Sequence, residues 1–212
     1  MTKNTPPFSA RVLELMASKI CHDLVSPVGA INNGVEFWQE MGADSAEESM
    51  QLISHSANQA ALRLKLFRLC YGAGGSEKHV SLKEIHQAIS EFIGTKKYSI
   101  HWTLDNEDLD GSLPLGFCKT LLNLLVFVHD LTPKGAKIHV SGSINAVTIK
   151  AEADMVLFKD DYKSILDGNF PEDQLDPRSV HPFIAYLFVT HFGFALNYDQ
   201  DEAGITFILS AA

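Results

Sequence analysis

Little in this chain of 212 residues points to crosslinking, to membranes or to nucleic acid. Its three cysteines, Cys21, Cys70 and Cys118, are widely spaced and form no CxxC pair. That argues against a disulfide framework or a zinc site and for small buried hydrophobes in a reducing compartment. The longest uncharged apolar run, Leu121 to Val128, falls far short of the roughly 20 residues that a membrane span needs. The opening MTKNTPPFSA lacks the charged-then-apolar layout of a secretion signal. Positive charge is scarce as well: 17 Lys and Arg face 26 Asp and Glu, a formal net charge of -9, which leaves no basic surface for a phosphate backbone. No internal repeat or low-complexity segment breaks the chain. These absences predict a cytoplasmic globular protein that meets other proteins, with neither nucleic acid nor membrane as partner.

What is present is apolar patterning in two styles. With 46% hydrophobic residues the chain can bury one large core or two small ones. From Ser9, a plausible N-cap, helical sequence runs to about residue 41 and stops at Gly42. Ser45 followed by Glu48 reads as a capping box opening a second helix that ends near Tyr71, before the glycines at 72 to 75. In the first helix Leu13, Ala17, Ile20, Leu24, Pro27, Ile31, Gly34 and Trp38 recur in steps of four and three, widened by Val28 and Val35. In the second, Ile53, Ala57, Ala60, Leu64, Phe67 and Tyr71 do the same. Two such helices cannot cover their own faces, so the pattern predicts a homodimer whose paired hairpins form a four-helix bundle.

Beyond residue 75 the rhythm changes. Residues 81 to 93, 115 to 131 and 179 to 192 read as helices, and 98 to 104 as a strand. Residues 137 to 141 and 146 to 151 read as a hairpin, followed by strands near 194 to 198 and 205 to 209. The fold expected is α+β: a helical hairpin over residues 1–75 and an α/β sandwich over 76–212. Trp38 and Trp102 read as packing residues, and His55, His86, His181 and His191 as ordinary surface or core residues.

The run Cys21-His22-Asp23-Leu24-Val25-Ser26-Pro27 carries the chemistry. If Leu24 and Ile31 face the core, His22 sits at the outermost point of the heptad and faces water. Imidazole titrates near pH 6.5, so it is largely neutral in the cytoplasm, and its unprotonated nitrogen can attack a phosphoryl group. Ser26, Gly29 and Asn33 continue the same stripe and are small, which keeps the approach open for in-line transfer. Pro27 removes one backbone N–H and crowds the Asp23 carbonyl, which predicts a kink one turn after His22. Lys19, one turn upstream, reads as part of a solvated helix face, the alternative being a group that approaches the transferring phosphate.

The HDLVSP segment resembles the H-box of histidine kinases, and the longer run from Cys21 to Glu36 closely resembles the ChpT-type histidine phosphotransferases of alphaproteobacteria. The resemblance implies a dimeric hairpin bearing a phosphorylated histidine and a kinase-like second lobe without nucleotide. His22 would be the phosphoacceptor and Asp23 the acid that orients or polarises its ring. Ser26 stands where many kinases carry Thr or Asn. Receiver domains would dock beside Val25, Gly29, Asn32, Asn33 and Glu36. One would belong to a hybrid histidine kinase and others to response regulators, each bringing its own Mg²⁺, so that the protein itself needs no cofactor or metal.

Set beside the ATP-binding domain of histidine kinases, the second lobe is degraded at three places. The helix holding Asn123 resembles the N-box, but Phe127 occupies the position of the magnesium-binding Asn, and an aromatic ring offers no oxygen to a hard cation. Lys150-Ala151-Glu152-Ala153-Asp154 replaces DxGxG. Asp176-Pro177-Arg178-Ser179-Val180-His181-Pro182 replaces the GxGxG loop, whose glycines permit close backbone approach to phosphate. The reading is therefore a histidine phosphotransferase of a two-component phosphorelay. The alternatives are a non-enzymatic dimeric adaptor for receiver domains and an ATP-dependent histidine kinase with an unusual pocket.

Overall fold

The computed structural model describes residues 9–72, 80–94, 96–104 and 113–211. The division expected at residue 75 and the leader reading of the first eight residues lie outside these. Helix α1 (Ala10–Met41) and helix α2 (Ala46–Tyr71) form the hairpin, joined by a tight turn at Gly42–Ser45. Gly42 adopts φ 66°, a left-handed conformation that costs glycine nothing and stops the helix there. The capping box is not formed. Ser45 is buried and its hydroxyl donates to the Phe37 and Gly42 carbonyls, at 3.3 and 3.4 Å, tying the turn back onto α1 instead of capping α2. Helix α1 runs on through Pro27, which is buried.

The remaining elements are α3 (Leu82–Ile93), β1 (Tyr98–Trp102), α4 (Phe117–Leu131), β2 (Ala136–Ser143), β3 (Ala146–Glu152), α5 (Asp160–Leu166), α6 (Val180–His191), β4 (Phe194–Asp201) and β5 (Gly204–Ala211). Ser81 caps α3 by accepting from the Glu84 N–H at 3.1 Å. The sheet order is β1-β2-β3-β5-β4, parallel between β1 and β2 and antiparallel elsewhere. Strand alternation turns Ile138, Val140, Val147, Ile149, Ile205, Phe207 and Leu209 to one buried face. The sequence reading omitted α5 and a short 3₁₀ turn at Glu172–Gln174. Helices of seven and three residues are too short to display a period.

Helix α4 is the pivot. It packs against the sheet and also against α2, so it is buried on nearly every side, and Leu121, Leu122, Leu124, Leu125 and Val128 are fully buried. Leu66, Leu69 and Cys70 of α2 belong to the same core, while Val12, Leu15 and Met16 of α1 share a second core with Ile165, Leu175, Val180 and Phe183. Two polar side chains of α4 finish the C-terminus of α2. Lys119 Nζ donates to the Gly72 carbonyl at 2.7 Å, and Asn123 Nδ2 to the Cys70 carbonyl at 3.1 Å. Carbonyls that the helix cannot pair itself are thereby satisfied from the second lobe.

The apolar stripe of the hairpin divides in two. Toward α2 lie Pro27 and Gly34, opposite buried Ser49 and Ser56. A Cβ on Gly34 would meet Ile53 Cγ1 at 2.8 Å, so the seam closes on small residues. Leu13, Val28 and Trp38 remain exposed, as do Met50, Ala57 and Leu64, which recur every seven residues of α2. Leu13 and Leu64 therefore do not pack within the chain as a single hairpin seam requires. Of the cysteines, Cys70 and Cys118 are buried as expected, whereas Cys21 is exposed beside His22.

Candidate functional site

Helical geometry decides what α1 displays. At about 100° per residue, Leu13, Ala17, Leu24, Val28, Ile31 and Val35 cluster within roughly 60° of one another, and His22 falls nearly opposite with Ser26, Gly29 and Asn33. The His22 side chain is 89% exposed. Ser26 and Asn33 are exposed and Gly29 is half-buried; a Cβ added at Gly29 would meet nothing within 4 Å. Val25, Asn32 and Glu36, on the adjoining stripe, are exposed as well, Val25 to 67%. Seven of the eight expected site residues thus form one continuous face. Asp23 is turned toward the second lobe, and its Oδ1 lies 3.5 Å from His22 Nδ1, at the limit of hydrogen bonding.

Lys19 corrects the sequence reading. Its side chain is only 21% exposed, and its Nζ lies 3.7 Å from Asp23 Oδ2 and 3.7 Å from Asp130 Oδ2 on α4. Asp130 Oδ2 also meets His181 Nδ1 of α6 at 2.9 Å. His181 is 1% exposed, with Nε2 buried and unpartnered, so it is an integral core group. Burial raises the Asp130 carboxyl, but the hydrogen bond with His181, the His129 ring 3.6 Å from Oδ1 and the charge of Lys19 outweigh it and hold the group well below the usual carboxylate range. Tyr71, whose ring meets His181 edge-on, has its phenol pushed up by burial first and then by Cys70, Asp130 and Asp23. Only the Lys19–Asp23 pair, four residues apart, was visible in sequence; Asp130 and His181 reach the cluster through tertiary folding.

The second lobe has little room for a small molecule beside Phe127. Phe127 is buried, its ring centroid 5.7 Å from Tyr162, 5.9 Å from Phe207, 6.1 Å from His181 and 6.4 Å from Phe158. The opening left beside it, lined in part by Lys159, Arg178 and Pro182, holds about 180 Å³, below the roughly 300 to 1,000 Å³ of ordinary ligand pockets. Ahead of α6, Asp176 Oδ1 accepts from the Arg178 and Ser179 N–H groups at 2.8 and 2.7 Å. The chain's own carboxylate thus takes up donors at a helix start that could otherwise hold an anion.

A displayed imidazole, with a carboxylate at its inner nitrogen and bare helix around it, is what a histidine phosphotransfer protein has to offer its partners. Known proteins agree. The sequence profile of the histidine phosphotransferase C-terminal domain matches residues 82–204. The chain is 31% identical over 198 residues to protein phosphotransferase ChpT of Brucella abortus (strain 2308), covering 91% of this chain and 92% of that one. A solved bacterial phosphotransferase superposes with a TM-score of 0.79 at 29% identity, covering 96% of this chain and 98% of the other. The chain belongs to the histidine phosphotransferase family, and its fold is the expected α+β arrangement of a helical hairpin and an α/β lobe.

Proposed function

We propose that His22 is the residue that carries the phosphoryl group, receiving it from the aspartyl phosphate of one receiver domain and passing it to the aspartate of another. The observation that carries this reading is the 89% exposure of the His22 side chain at the head of a stripe continued by Ser26, Gly29 and Asn33. In the forward step the lone pair of Nε2 attacks phosphorus. The P–O bond to the donor carboxylate breaks and its electrons leave with that carboxylate, while a P–N bond forms. Asp23 accepts from Nδ1–H and stabilises the positive charge that grows on the ring. The reverse step delivers the group to the second receiver. Val25, Asn32 and Glu36 form the remainder of the docking face, and Mg²⁺ arrives with each receiver.

The working unit in this reading is a cytoplasmic homodimer. Residues 1–75 carry the chemistry and residues 76–212 support the hairpin and offer further docking surface. No nucleotide is needed. The aromatic core around Phe127 and the small opening beside it favour this over an ATP-dependent kinase. Among the described residues no helix is long and apolar enough to cross a membrane, in keeping with a relay between soluble domains.

The test is label transfer. A receiver domain bearing radiolabelled aspartyl phosphate should donate an acid-labile label to the wild-type protein, and His22→Ala should accept none while keeping its helical content and oligomeric state. Labelling of the variant would refute the assignment, and labelling of the wild type by ATP alone would refute nucleotide independence. A protein that binds receivers but never takes the label would be an adaptor.

A further inference from the structure

We propose that Lys19 is a positioning residue for His22, locked from the second lobe by Asp130 and His181, so that both lobes build one functional centre. The inference rests on the phosphotransfer reading above and deepens it. A lysine on an open helix surface samples many rotamers, and holding it still costs side-chain entropy. This one is held between two carboxylates, each 3.7 Å away, on different helices. The carboxylate on α4 is itself fixed, because the same oxygen that faces Lys19 meets the buried His181 ring at 2.9 Å. A continuous polar line therefore runs from the core of the second lobe to the displayed imidazole: His181, Asp130, Lys19, Asp23, His22.

The line has a chemical consequence at its outer end. With the ammonium against Oδ2, the Asp23 carboxylate cannot rotate freely, and Oδ1 stays toward His22 Nδ1 at 3.5 Å. An acceptor at Nδ1 keeps the proton there and leaves the lone pair on Nε2, the nitrogen on the far side of the ring. Without Lys19 the carboxylate swings, the imidazole samples both tautomers, and the fraction ready to attack phosphorus falls. Lys19 acts through Asp23 and does not grip the phosphoryl group. Two carboxylates already neutralise its single charge, so none is left over for an incoming anion.

The full-length chain tests this with Lys19→Met, Lys19→Arg, Asp130→Asn and the double variant Lys19→Met/Asp130→Asn. Asp130→Asn keeps the shape of the side chain and serves should Lys19→Met fold poorly. Nitrogen-15 NMR of the His22 ring reports the tautomer without any partner. The Nδ1–H form should dominate in the wild type, shift toward Nε2–H in Lys19→Met and Asp130→Asn, and return in Lys19→Arg. In single-turnover transfer from a phosphorylated receiver domain, Lys19→Met should lower the maximal rate about 5- to 10-fold, within the range of contacting-residue couplings, and the half-saturating receiver concentration should move by no more than roughly twofold. Since Asp130 works through Lys19, the double variant should be no slower than Lys19→Met. An unchanged tautomer and rate in Lys19→Met, or full additivity in the double variant, overturns the proposal while wild-type labelling leaves the phosphotransfer reading intact. A wild-type His22 that never takes label removes both.

Discussion

Phe127 shows how one side chain settles the character of a lobe. Its ring joins a core of Phe158, Tyr162, His181 and Phe207. The ring is 1% exposed, so Phe127→Ala should destabilise the protein by about 3 to 5 kcal/mol through lost burial and the cavity left behind. A urea unfolding midpoint would read this directly, and a change below the precision of that measurement would mean that the cluster collapses freely around the gap. At this scale the outward placement of His22 was legible in sequence, because its offset from Leu24 and Ile31 puts it at the outer edge of the heptad. The pairing of Lys19 with Asp130 was not legible there. A charge that pairs across more than a hundred residues of chain leaves no local trace, and only Asp23, four residues on, hinted that Lys19 was not simply solvated.

The two glycines of α1 show the same residue type serving opposite ends. Beside Gly29 there is open space; beside Gly34, Ile53 and the Ser49 carbonyl already crowd the place a Cβ would take. Replacing Gly29 by Leu should leave the hairpin intact or stabilise it by about 0.5 to 1 kcal/mol, since glycine is a poor helix former. The same change should slow phosphotransfer by filling the approach to His22. Gly34→Leu should pry α1 from α2 and cost about 1 to 3 kcal/mol or more. Thermal melts paired with transfer assays on both variants separate the effects; a Gly29→Leu protein that transfers at the wild-type rate would place the docking face elsewhere. Periodicity located both long helices, the strands and α4, because long amphipathic or uniformly apolar segments declare their burial. It failed at Ser45, where the hydroxyl turns back to the Phe37 carbonyl, since a capping box and a turn anchor share the same residues.

Taken whole, the molecule leaves one stripe uncovered. Leu13, Val28 and Trp38 of α1 and Met50 and Leu64 of α2 are each 47% exposed or more. Large apolar residues aligned in this way mark an interaction surface, and pairing two hairpins would bury them. Sedimentation at micromolar concentration should give twice the 23.4 kDa chain mass. Val28→Glu or Leu64→Glu should shift the protein toward monomer with its helical signal preserved, whereas a monomeric wild type would leave that stripe to another partner. The sequence pattern named most of these residues but merged them with the seam inside the hairpin, because a heptad does not say which neighbour each position meets.

The enclosure of α4 has one more consequence, for dissection. A fragment cut near residue 72 would carry His22 away with both of its helices, yet it would bare Leu66, Leu69 and Cys70 on one side and Val12, Leu15 and Met16 on another. It would also strip the last carbonyls of α2 of their donors. The stalk is not a detachable module. Its two helices depend on the second lobe for the cover of their apolar faces and for the donors at their far end.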